Sequence, residues 1–204
     1  EDTEVINLIG FFQSYKYFKH GFNLEFNLEF NLENKINQLF VFDDKIKEEG
    51  NMIIENIHNI NQDKTLNLVS IHVRRGDYIK YDDYHVILPM IYYINAIRKI
   101  EKEYNNVYYL VCSDDINWCK RVFYFIQDKA YFSENNKDIV DMYLMSKCSI
   151  KIISNSSFSL LTCYFNGENK GKKLNICPSI WFGNKKNNFG LEDIYDESLN
   201  FCKI

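Results

Sequence analysis

The run His72-Val73-Arg74-Arg75-Gly76-Asp77-Tyr78 concentrates groups that can bind an anion. Two guanidiniums and a carboxylate surround one glycine, directly after the apolar run 66–73. A guanidinium offers a planar fork of donors that matches phosphate oxygens two at a time. His72 and Arg74 are two residues apart, so they share one face at the end of an extended segment, while Val73 points to the other face, into a core. Gly76 lets the backbone come close or take a positive φ. Arg74 and Arg75 are thus candidate phosphate holders. A surface Arg–Asp ion pair in a turn is the competing account.

A second run, Ser154-Asn155-Ser156-Ser157-Phe158-Ser159, complements the first. It follows a β-rich stretch and opens a helical one. Ser156 or Ser157 fits the helix N-cap, and the N–H groups of a first turn, flanked by hydroxyls, suit a phosphate without a glycine-rich loop. An ordinary capped helix is the alternative. Asn155-Ser156-Ser157 also has the N-glycosylation pattern, which is discounted at a sheet edge. Asp141 faces inward if Met142 and Met145 flank it. A carboxylate near a base-binding crevice can accept from the N1–H and exocyclic amine of guanine; a helix-surface acid is the alternative. Asp114 or Asp115 reads as a helix cap, with a catalytic role as the alternative. Asp77, Asp82, Asp83 and His85 all lie in or just past the arginine loop, where a carboxylate or imidazole can accept a proton, and Asp77 and His85 rank first as candidate catalytic bases.

Such loops need a scaffold, and the chain alternates strand and helix patterns. Strands are expected at 66–73, 107–113, 129–132, 149–154 and, last, 173–177. Helices are expected at about 43–60 (apolar at 46, 53, 57 and 60), 88–104, 114–126, 137–148 and 156–165. Pro89 is tolerated in a first turn. This alternation implies α/β architecture: a Rossmann-like, mainly parallel sheet with helices on both faces. Ligands then bind beyond the carboxyl ends of the strands, in loops starting near 74, 113, 133, 154 and 178. Residues 22–33 read FNLE three times, which suits a short amphipathic helix and is too short for a solenoid.

Composition narrows the function classes. The 204 residues suit one large domain or slightly more. With 24 basic against 28 acidic residues the net charge is −4, which argues against a nucleic-acid partner. A 46% hydrophobic content supports a packed core rather than disorder. No apolar run is long enough for a transmembrane segment. The start Glu1-Asp2-Thr3-Glu4 lacks the pattern of a secretory leader. The expected location is cytoplasmic or peripheral to the cytoplasmic side of a membrane; a Golgi lumen stays open if sequence precedes Glu1. Cysteines 112, 119, 148, 163, 177 and 202 form no CxxC pair, so buried thiols are expected rather than a zinc site. There is no GxxxxGK[ST], no GxGxxG and no DxD triplet, which disfavours P-loop enzymes, nicotinamide dehydrogenases and a metal-chelated nucleotide-sugar site.

Taken together, 72–78, SDDINWCK at 113–120, DMYLMSKCSIKIISNSSFS at 141–159 and CPSIWFG at 177–183 resemble the alpha-1,2-fucosyltransferases, glycosyltransferase family eleven. GFFQSYKYFKH at 10–20 resembles a segment that precedes the arginine motif in that family. The resemblance implies the donor half of a GT-B-like enzyme. Such an enzyme moves L-fucose from GDP-fucose to a hydroxyl, O-2 of a terminal galactose in a glycan acceptor, with inversion, no cofactor and no metal. It implies that Arg74 holds the diphosphate, His72 lines the GDP site, Ser157 touches phosphate and Asp141 reads guanine. Residues 160–166 depart from the family, which commonly has tryptophan after the serine turn. The usual Gly-Gly-Leu-Gly-Asn-Gln start is also absent. Residues 1–62 are therefore expected to be a mainly helical remnant of the amino-terminal, acceptor region, and 63–204 the donor domain. The rival expectations are a non-catalytic GDP-sugar-binding module or fragment, and a structural βα domain that binds no GDP.

Overall fold

A computed structural model of the chain describes Ser14, Lys16 and residues 32–62, 65–165, 173–186 and 193–204. The segment 10–20, apart from Ser14 and Lys16, and most of the FNLE run lie outside the described residues. Two helices come first, α1 (Leu32–Leu39) and α2 (Asp44–Asn61). Asp43 starts α2, its carboxylate accepting the Lys45 N–H at 2.9 Å. Ile57 is buried as its spacing predicts, but Ile60 is exposed and Ile54 takes the inward place, because 54 and 57 share a helix face.

Strands and helices then alternate: β1 (Asn67–Val73), α3 (Met90–Glu103), β2 (Val107–Ser113), α4 (Ile116–Val122), β3 (Ala130–Phe132), α5 (Asp138–Lys147), β4 (Ile150–Ile152), α6 (Ser157–Thr162), β5 (Leu174–Cys177) and β6 (Phe201–Lys203). The helix expected over 114–126 ends at Val122; the chain turns at Phe123 and continues as a 3-10 turn over Tyr124–Lys129. The strand at 173–177 is not the last, since β6 pairs beside it.

All pairings within the six-stranded sheet are parallel, in the order β3-β2-β1-β4-β5-β6. This is the Rossmann-like α/β architecture that the alternation predicts. The direction of winding reverses between β1 and β4, the position where open α/β sheets form their ligand crevice. Odd residues of β1 (Val69, Ile71, Val73) face a core built with Tyr93, Ala96, Ile97 and Ile100 of α3 and Cys119 of α4. Leu68 faces the opposite core, where Ile54 and Ile57 of α2 meet Val140, Leu144 and Met145 of α5. A third cluster packs Leu160 of α6 against Ile153, Trp181, Tyr195 and Leu199. All six cysteines remain thiols, five of them buried. Among the described residues no helix is long and apolar enough to cross a membrane.

Candidate functional site

The loops after β1 and β4 emerge side by side at the switch point and are bonded to one another. His72, the penultimate residue of β1, places Nδ1 2.7 Å from the Ser154 hydroxyl. Its ring lies 5.3 Å from that of Phe158 in α6. Burial, with a smaller contribution from the Arg74 charge, pushes the imidazole down to about 3, so His72 is neutral at ordinary pH. The Tyr78 hydroxyl donates to the backbone carbonyl of Asn155 at 2.8 Å.

The two arginines, just past the end of β1, take different partners. Arg74 lies on the His72 side and packs beside the Tyr78 ring, with Cζ 5.8 Å from the ring centroid. Its Nε donates to Asp77 Oδ1 at 2.9 Å, and Nη2 lies 2.8 Å from the same oxygen. Nε also lies 3.2 Å from Asp114 Oδ2. These contacts leave Nη1 without a partner among the described residues, an edge of the fork that can still meet an anion. Arg75 goes to the other face. Its guanidinium sits 4.0 Å from the Trp118 ring centroid, and Nε donates to Asp115 Oδ2 at 3.1 Å. The guanidinium of Arg75 is thus committed to α4.

The two aspartates after β2 divide their work. Asp115 caps α4, accepting the Trp118 N–H at 3.2 Å. Asp114 instead accepts the backbone N–H groups of Arg75 and Gly76, at 2.8 and 2.9 Å. This grip on the arginine loop has no signal in the sequence, because nothing in the spacing of 76 and 114 reveals that β1 and β2 are neighbours. Gly76 serves close approach: no described glycine has a positive φ, and a Cβ there would lie 2.7 Å from Asp114 Oδ2.

On the β4 side, Ser156 occupies the N-cap position of α6 but its hydroxyl makes no capping bond. Ser156 is buried and Ser157 exposed. Because α6 spans six residues, its aligned dipoles add little. What this loop offers an anion is local: the Ser157 hydroxyl and first-turn N–H groups, which lack intrahelical acceptors. Asn155 is buried, so the sequon is internal.

Asp141 stands in the first turn of α5, at the same edge of the sheet, where Ser133 just past β3 donates its hydroxyl to Oδ1. Asn136 Nδ2 in turn donates to Ser133 Oγ at 2.6 Å. Burial raises the carboxyl to about 6, against the lowering effect of those hydrogen bonds. Strand spacing puts the ends of β1 and β3 about 10 Å apart. Asp77 and His85 flank Arg74 and Tyr78. Asp77 is tied to Arg74, and the His85 ring stacks on Tyr78 at 4.2 Å and 12°. Asp83 pairs with Lys185 at 2.6 Å. Among the described residues no group of three or more His, Cys, Asp or Glu could hold a metal ion.

Arg74, Ser157 and Asp141 thus all lie at the carboxyl edge of the sheet. Known proteins resemble the chain in sequence. The chain is 38% identical over 122 residues to the Alpha-1,2-colitosyltransferase of Escherichia coli, covering 57% of this chain and 41% of that protein. It is 37% identical over 134 residues to the O-antigen biosynthesis glycosyltransferase WbnK of Escherichia coli, covering 62% and 43%. The Galactoside 2-alpha-L-fucosyltransferase Sec1 of Mus musculus is 23% identical over 140 residues, covering 63% and 36%. The chain thus spans at most about two fifths of the length of these curated relatives. Among solved structures, POFUT1 in complex with GDP-fucose aligns with a TM-score of 0.46 at 11% identity, covering 67% of this chain and 46% of that one. The family model of Glycosyl transferase family 11 matches residues 2–197, and the chain belongs to that family.

Proposed function

We propose that the carboxyl edge of the sheet binds a GDP-sugar and that the chain is the donor-binding part of a fucosyltransferase-type enzyme, GT-B-like in its architecture. The observation that carries this reading is the bonded junction of the β1 and β4 loops at the switch point, His72 to Ser154 and Tyr78 to Asn155. It joins the loop that carries Arg74 to the loop that carries Ser157. Arg74 takes the diphosphate with Nη1, and Ser157 meets the phosphate from the other side. Asp141 accepts from guanine, and His72, neutral and buried, shapes the floor.

In the reaction, a hydroxyl of the acceptor attacks the anomeric carbon from the side opposite GDP. The carbon–oxygen bond to the β-phosphate breaks, the configuration inverts, and negative charge collects on that phosphate. Arg74 is already held there by Asp77 and Asp114, so little reorganisation is needed to stabilise it. That cation supports transfer without a metal. Asp77 and His85, beside Arg74, are the groups proposed to receive the hydroxyl proton. Family membership supports a galactose-containing glycan as acceptor, with O-2 of a terminal galactose the proposed target and fucose or colitose the proposed sugar.

Calorimetry with GDP tests the site: measurable binding is expected, and a flat titration would leave a structural βα domain. Incubation with GDP-fucose or GDP-colitose and a galactose-terminated acceptor tests transfer. Binding without product would favour the second reading, a GDP-sugar-binding module, which the chain's coverage of about two fifths of its relatives brings into play.

A further inference from the structure

We propose that Tyr78 is a positioning residue that locks the two phosphate-facing loops together, so that the second phosphate of the nucleotide meets both at once. The inference rests on the GDP-sugar reading above. Tyr78 is 8% exposed although it belongs to a surface turn. One face of its ring carries His85, and the Arg74 guanidinium lies beside it. Its hydroxyl reaches out of the arginine loop to the Asn155 carbonyl.

Asn155 is itself fixed. Its Nδ2 donates to the carbonyls of Val86, at 2.9 Å, and Trp181, at 2.8 Å. Among the described residues its Oδ1 is buried without a donor, and the two carbonyls set the orientation of the amide. Phe182, next to Trp181, bridges to His85 in antiparallel fashion, and His85 stacks on Tyr78. The contacts close a circuit: Tyr78 to Asn155, Asn155 to Trp181, Phe182 to His85, and His85 back to Tyr78. The phenol, raised by burial to about 12, remains a donor throughout the working pH range.

A residue that merely fills space would, when altered, weaken every ligand alike. A strut between two loops weakens the ligand that spans them. GMP lacks the second phosphate and GDP has it, so the ratio of their affinities reads the alignment of the loops. The test is calorimetry of the full chain with GDP and with GMP, in the native protein and in Tyr78→Phe, which keeps the ring and its stack. One neutral hydrogen bond corresponds to roughly a factor of ten. GDP affinity is therefore expected to fall about tenfold with GMP affinity within about twofold. Asn155→Asp breaks the circuit at its other link, by turning an oxygen toward two carbonyls, and is expected to narrow the ratio in the same way. It decides the matter if the phenylalanine variant does not fold. A native-like ratio in a folded variant, or equal losses for both nucleotides, overturns the proposal. No GDP binding by the native chain overturns the GDP-sugar reading instead, and this inference with it.

Discussion

The Asp114 carboxylate accepts the Gly76 N–H at 2.9 Å, holding the turn after β1 from the end of β2. Its second oxygen holds the Arg75 N–H. Gly76 has no positive φ, so its backbone would accept alanine; the obstacle is the 2.7 Å approach of the new Cβ to Asp114 Oδ2. Gly76→Ala must push the carboxylate off both N–H groups. These bonds are charge-assisted but open to water, so the expected cost is about 1–2 kcal/mol in urea unfolding. GDP affinity should fall about tenfold as the Arg74 fork loses its backing. An alanine variant that binds GDP as the native chain does would show that the Asp114 grip is dispensable.

The adjacent arginines should behave differently on truncation. Arg74→Ala removes the cation proposed for the leaving phosphate, and loss of one preorganised donor costs on the order of 3 kcal/mol in barrier, about a hundredfold in turnover. Arg74→Lys restores the charge without the fork and should recover only part. Arg75→Ala removes the contact with Trp118 and the pairing with Asp115. Its effect should be a stability loss of about 1 kcal/mol with GDP affinity changed little. Turnover and unfolding measured on both variants give a crossed pattern; equal effects in both assays would contradict the separation of the two side chains.

That separation shows what spacing reveals and what it hides. Strand–helix periodicity yields the parallel sheet and both loops at its carboxyl edge, but residue type makes Arg74 and Arg75 alike candidate phosphate holders, and only the fold turns Arg75 toward Trp118 and Asp115. The order of strands is not a local property. It decides that the loops after β1 and β4 touch, that Asp114 reaches Gly76, and that Tyr78 finds Asn155. Ser156 illustrates a second limit: the residue type and position of an N-cap are present, yet its hydroxyl makes no capping bond. β6 shows a third, since three residues at the chain's end carry too little pattern to announce an edge strand.

With Asp141 in the guanine-reading role proposed for it, donor binding is expected to depend on pH. Guanine offers donors, so the carboxylate must be ionised, and burial holds its proton to about 6. GDP-fucose is the appropriate probe because its diphosphate, esterified at both ends, does not titrate in this range. Its affinity should be nearly constant above pH 7 and about tenfold weaker at pH 5. Asp141→Asn should bind weakly at all pH values and lose the slope. An unchanged slope in that variant would place the titrating group elsewhere.

His72 and Asp141 should also shape stability against acid, in opposite directions. The unfolded chain protonates His72 near 6.5, whereas the folded chain resists until about 3. Stability from this group is therefore complete above 6.5 and drains as pH falls toward 3, by up to about 1.4 kcal/mol per unit. Asp141 has the reverse sign: its folded value of about 6 exceeds the ordinary 3.8, so the folded chain gains stability as pH falls through 6 toward 3.8. Between about 6 and 4 the two slopes nearly cancel. Removing one exposes the other. His72→Asn keeps a polar atom near the place of Nδ1, facing Ser154, and should gain about 2–3 kcal/mol relative to the native chain between pH 7 and 4.5. Asp141→Asn should lose ground over the same range. Urea unfolding of the three proteins at both pH values checks the pair. A His72→Asn variant that tracks the native chain across the range would mean that the imidazole protonates in the folded protein as easily as in the unfolded one.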